Sequence, residues 1–111
     1  MTKKILCPTD GTDHSSIAVI QAAELATLKK VPLTICAVNV AHGGGRGPTI
    51  NHWPDDELAR ILEDAEKLAK KHGAKNVDTA AVISREAAAG IVGYAETHGF
   101  DHIVMGTGDK R

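Results

Sequence analysis

The chain opens with KKILCPTDGT, residues 3–12, in which a short apolar strand runs directly into a Pro-Thr-Asp-Gly turn. Apolar residues at helical spacing follow from about Ser15, so the turn connects a strand to a helix. In an open parallel α/β sheet, ligands bind beyond the carboxyl ends of the strands. Asp10 is therefore placed to meet a ribose, a metal or a phosphate-bound cation. The alternative is a carboxylate that only forms the turn or caps the helix.

A second stretch of the same kind, His102–Gly108, lies near the end of the sequence. Its strand, His102–Met105, runs into Gly106-Thr107-Gly108, whose backbone amides would form an anion site at the start of a following helix. Two glycines in a turn are common, so this motif indicates a ligand site only in combination with Asp10. Together the two stretches predict one ligand site at the carboxyl edge of a sheet.

The bulk properties favour a single α/β domain over residues 1–111 and exclude several classes of protein. A formal net charge of −1 gives no long-range attraction to nucleic acid or to an anionic membrane. No apolar run approaches the about 20 residues that span a bilayer, and the start has no signal-peptide core. Cys7 and Cys36 fall in predicted strands, where buried thiols of a cytoplasmic protein are expected and a disulfide is the alternative.

Strands and helices alternate along the chain. Strands are predicted over Lys4–Cys7, Leu33–Val40, Val77–Ile83 and His102–Met105, and helices over about 15–30, 55–72 and 86–98. This order predicts right-handed crossovers and an open, doubly wound parallel sheet of the flavodoxin or Rossmann-like kind. Because the chain stops after the fourth strand, which leaves an apolar edge unpaired, we expect a C-terminal helix and a fifth strand to be missing.

Two glycines inside the third predicted helix, Gly90 and Gly93, each weaken it by roughly 1 kcal/mol relative to alanine. We expect such glycines to permit close packing of the helix on the sheet.

Motifs for other chemistries are less specific. Gly43-Gly44-Gly45-Arg46-Gly47 either cradles a phosphate or forms a flexible surface loop, and so dense a run of glycine favours the loop. The six histidines match no zinc spacing. Asp10-Gly11-Thr12 is similar to the end of the haloacid-dehalogenase phosphatase motif, but that chemistry needs a nucleophilic Asp where Pro8 stands. We therefore reject the phosphatase interpretation.

The chain resembles the universal stress protein family over essentially its whole length. The matching segments are Lys4–Asp10, Ala37-Val38, Ala95–Gly99 and Asp101–Thr107. The resemblance implies a cytoplasmic, homodimeric stress-response protein that binds ATP, with Mg²⁺, at the carboxyl ends of the strands and does not turn it over efficiently.

The resemblance also implies the residues of the nucleotide site. Asp10 would contact the nucleotide, and the backbone at Val38 would lie by the adenine. The remaining implied residues are Pro8, Thr9, Met105, Gly106, Thr107 and Gly108.

Two departures from the family pattern favour an alternative, a dimeric interaction or regulatory module of the same family that binds no nucleotide. Members with the ATP pattern carry Gly-x-x-Gly followed later by Gly-Ser/Thr. Counted from Gly106, the second glycine falls at Asp109, whose carboxylate would repel a triphosphate unless a cation intervenes. The Gly-x-Pro step that often precedes the third helix is replaced by Arg85-Glu86-Ala87.

Overall fold

Strands and helices alternate in the computed structural model of the chain, which describes residues 4–10, 13–42, 50–51, 54–84 and 87–105. The elements are β1 (Ile5–Pro8), α1 (Asp13–Lys29), β2 (Leu33–His42), β3 (Ile50–Asn51), α2 (Asp55–Lys71), β4 (Val77–Ser84), α3 (Ala87–His98) and β5 (His102–Ile103). Among the described helices, none combines the length and hydropathy needed to cross a bilayer.

Four strands form an open parallel sheet in the order β4-β2-β1-β5. The register places Pro8 opposite Cys36 on one side of β1 and Leu6 opposite Ile103 on its other side. The chain therefore builds outward from β1 through β2 to β4 and then returns to the opposite flank with β5. The strand order reverses beside β1, which confirms the predicted doubly wound α/β architecture and places the ligand-binding crevice of such sheets at the carboxyl end of β1.

One strand was not expected from the sequence. Ile50–Asn51 forms β3, which pairs antiparallel with Ala41 and His42. This pairing supplies hydrogen-bond partners at the end of β2, and β2 accordingly extends to His42 instead of ending at Val40. The sequence predicted no strand between Val40 and the helix that begins at about residue 55, and that prediction was wrong at Ile50–Asn51. Gly43–Pro48 lies outside the described residues.

Helices cover both faces of the sheet, which is why its inner strands β1 and β2 are almost continuously apolar. On one face, Ile5, Cys7 and Ile35 pack against α1 and α2. On the other face, Leu6, Cys36 and Val38 pack against α3.

Because Cys7 and Cys36 belong to opposite faces, they form no disulfide, and both are buried free thiols as expected. Burial raises the pKa of each thiol to about 12, with a further contribution to Cys7 from the nearby Cys36.

Candidate functional site

The described members of the predicted site lie at the carboxyl edge of the sheet. Pro8 ends β1, with Thr9 and Asp10 next in the chain. Val38 lies on β2 two residues beyond Cys36, the partner of Pro8, and Met105 lies two residues beyond Ile103, the partner of Leu6. The remaining members, Gly106, Thr107 and Gly108, lie outside the described residues, as do Asp109 and Arg85. The structure thus brings the ends of β1 and β5 and the carboxyl-terminal half of β2 to one edge. The role of these residues as ligand contacts stays a prediction.

Thr9 connects the end of β1 to β2 and α1 through hydrogen bonds. Its backbone N–H donates to the carbonyl oxygen of Cys36 at 2.7 Å, and its Oγ1 donates to Oγ of Ser15 at 3.0 Å. Thr9 is only 7% exposed, so its hydroxyl serves the fold by connecting β1 to the first helical turn of α1. The following residue, Asp10, is exposed at the same edge, where a ligand can reach it.

Val38 presents its backbone, not its side chain, to this edge. The residue is 8% exposed, and its side chain packs with Ile91 in the core beneath α3. Peptide groups alternate between the two sides of a strand, so residues two apart direct theirs to the same side. Because the Cys36 carbonyl accepts from Thr9 on the β1 side, the N–H and C=O of Val38 face the space beyond the end of β1. An amide donor and acceptor side by side are what a planar heterocyclic base needs for paired hydrogen bonds.

A cavity of about 550 Å³ adjoins Thr9 between α1 and α2, within the roughly 300–1,000 Å³ typical of ligand pockets. Its floor is apolar, with Val19 and Leu68 among the lining residues, and its wall from α2 is charged. The charged residues are Asp56, Glu57, Arg60 and Asp64. From the sequence, this segment was predicted only as a helix over about 55–72, so its charged residues were missed as the wall of a cavity. The one indication of this charged wall in the sequence was Arg60, a single arginine within the acidic first half of the helix.

Asn39 is a second residue that the sequence interpretation missed. It is 1% exposed and lies on β2 next to Val38. A buried amide requires hydrogen-bond partners, so it fixes local geometry where an aliphatic residue would not. The indication was visible, because Asn39 is the one amide in an otherwise largely apolar strand.

The titratable side chains form no evident metal centre in the part of the chain that the structure describes. No group of three or more His, Cys, Asp or Glu residues there is arranged to hold an ion.

Comparison with known proteins identifies the family. The model of the universal stress protein family matches residues 1–111. Protein Rv1636 of Mycobacterium tuberculosis H37Rv is 27% identical, with a TM-score of 0.74 over 95% of this chain and 71% of its own. A universal stress protein in complex with cAMP is 20% identical, with a TM-score of 0.75 over 93% of this chain and 75% of its own.

A third similar structure, the universal stress protein of Archaeoglobus fulgidus in complex with dAMP, is 23% identical. Its TM-score is 0.70, over 95% of this chain and 80% of its own. No curated protein matches the chain significantly.

Proposed function

The chain belongs to the universal stress protein family, and on that premise we propose that it binds an adenine nucleotide at the carboxyl edge of its sheet without efficient turnover. The observation that carries the proposal is the orientation of the Val38 peptide groups beyond the end of β1, beside an exposed Asp10. Two proteins of the same fold in complex with cAMP and dAMP support it.

The finer proposal is that the nucleotide is ATP with Mg²⁺. Val38 would bind the base through its backbone, and the exposed carboxylate of Asp10 is suited to accept hydrogen bonds from ribose hydroxyls. Pro8 and Thr9 hold Asp10 in place, and Met105 provides an exposed apolar contact at the same edge. Gly106, Thr107 and Gly108 would bind the phosphates through backbone amides. The proposal includes no catalytic residue.

Calorimetric titration with ATP and Mg²⁺, and separately with AMP, tests this proposal. Asp10→Asn should weaken binding about tenfold, since a hydrogen bond to a charged group contributes roughly 1.5–3 kcal/mol. Glu96→Gln is the matched control, because it removes an exposed carboxylate on α3 and should leave affinity unchanged. A folded wild-type protein that releases no heat at millimolar nucleotide would contradict the proposal and favour the interaction module.

We further propose that residues 1–111 form one domain of a cytoplasmic homodimer that functions in the stress response. Support for self-association lies at β5 and just beyond it, where Ile103 is 37% exposed and Met105 is 52% exposed. Apolar side chains beside the flank of an outer strand favour pairing with another chain. Light scattering should give twice the monomer mass, and a monomer at micromolar concentration would contradict this part of the proposal.

A further inference from the structure

Gly90, in the first turns of α3, lies closer to the sheet than any residue with a side chain could. A Cβ atom placed on it would lie 2.8 Å from Cβ of Ser84 and 3.1 Å from Cγ1 of Val38. Real Cβ atoms essentially never approach to 2.8 Å, so an alanine here would force α3 or the strands to shift. Gly93 occupies the same helix one turn later, and a Cβ placed there has no neighbour within 4 Å.

Both residues that Gly90 approaches lie toward the carboxyl edge of the sheet, where the proposed nucleotide site is. Ser84 is the last residue of β4, and Val38 lies on β2 two residues before Val40, the partner of Ser84. Val38 is paired with Val82 of β4 on one side, and α3 packs against its side chain. A Cβ atom at position 90 would therefore press on Val38, the residue whose peptide groups face the space beyond β1.

We propose that Gly90 is a positioning residue for the nucleotide site. It lets α3 lie directly on Ser84 and Val38, and this contact holds the Val38 peptide groups in the orientation that receives the base. Gly90 itself touches no ligand. The inference rests on the proposed function, because it concerns the site at which the adenine nucleotide binds.

Affinity measured on folded variants tests the inference. Gly90→Ala should weaken AMP binding about tenfold or more in calorimetry, at a temperature where circular dichroism shows each variant fully folded. Gly93→Ala is the matched control and should bind within about twofold of wild type, since it makes the same substitution in the same helix without the contact. Adding Ser84→Gly to Gly90→Ala removes the Cβ atom at 2.8 Å and leaves only the 3.1 Å approach to Val38, so it should restore part of the affinity relative to Ser84→Gly alone. A purely structural role would change stability without this loss and rescue of affinity.

A second variant keeps the test decisive if Gly90→Ala does not fold. Ser84→Thr crowds the same contact from β4, and threonine is well suited to a strand, so it should fold and lose affinity in the same way. If wild-type protein binds AMP but folded Gly90→Ala or Ser84→Thr binds within twofold of it, the inference is wrong and the proposed function stands. If wild-type protein binds no adenine nucleotide, the proposed function itself has failed.

Discussion

At the scale of single residues, Thr9 shows how the end of one strand is fixed for use as a binding edge. One buried residue donates two hydrogen bonds, to β2 through its backbone and to α1 through its hydroxyl. Because one partner lies in the sheet and the other in the helix that packs on it, the backbone is fixed in position immediately before Asp10. A threonine between a proline and an aspartate is thus a structural support for the residue after it.

Thr9→Val should lower the free energy of unfolding by about 1 kcal/mol, because it keeps the shape but leaves the Ser15 hydroxyl without this donor. Urea denaturation measures the change. Thr79→Val is the matched control, since Thr79 is exposed on β4 and should change stability by less than about 0.5 kcal/mol. Equal effects of the two substitutions would show that the Thr9–Ser15 hydrogen bond does not stabilise the fold.

The buried thiols should make the protein less stable at alkaline pH. The pKa of Cys7 and of Cys36 is raised by burial from 9.0 to about 12 in the folded chain. Above pH 9 the unfolded chain loses these protons and the folded chain retains them, which favours unfolding. Their contribution is thus fully present below about pH 9 and is lost as the pH rises toward about 12. Urea midpoints measured from pH 8 to 10.5 should fall more steeply for wild type than for Cys7→Ala/Cys36→Ala, and parallel curves would contradict the prediction.

At the scale of elements, a helix or strand could be predicted when the residue pattern that forms it lies within the element itself. The prediction for α2 began at Asp55 as observed and ended one residue late, at His72, because its apolar stripe, acidic start and basic end are all local. A strand of two residues such as β3 has no periodicity, and its existence depends on the distant end of β2. Gly90 and Gly93 are indistinguishable in sequence, and the expected close packing is confirmed at Gly90 and wrong at Gly93.

The buried stripe of α2 should contribute much of the stability on its face of the sheet. Leu62→Ala removes side-chain packing between α2 and the core formed with α1 and β2, and a cost of about 2–5 kcal/mol is expected from lost burial and the cavity left behind. Chemical denaturation measures it. Glu63→Ala, one residue along on the exposed face, should cost less than about 0.5 kcal/mol, since its ion pair with Lys67 is solvent-exposed. A Leu62→Ala cost as small as that of Glu63→Ala would show that α2 is only loosely packed.

At the scale of the whole molecule, the charges of the described residues are distributed unevenly, although the net charge of the chain is only −1. Helices α1 and α2 both begin at the carboxyl edge and end at the amino edge of the sheet. Described acidic residues that include Asp10, Asp56 and Glu57 lie toward the carboxyl edge, and Lys29 and Lys71 lie in the last turns of the two helices. This arrangement suits the helix dipoles. The position of the carboxyl edge was predictable from the strand order, but the acidic cavity wall was not, because it depends on how α2 packs beside α1.

An acidic edge should bind adenine nucleotides according to their charge. Repulsion between carboxylates and phosphates is long-range at low ionic strength, where the Debye length is about 30 Å at 0.01 M, and is screened at 0.1 M, where it is about 10 Å. Without Mg²⁺, raising the salt concentration across this range should therefore strengthen ATP binding and leave adenosine binding unchanged, and Mg²⁺ should strengthen ATP binding severalfold at low salt. Calorimetry with both ligands measures this. Binding of ATP that weakens with salt, as contacts from lysine or arginine to phosphate would produce, would show that the basic residues of the chain, and not these carboxylates, set the potential at the site.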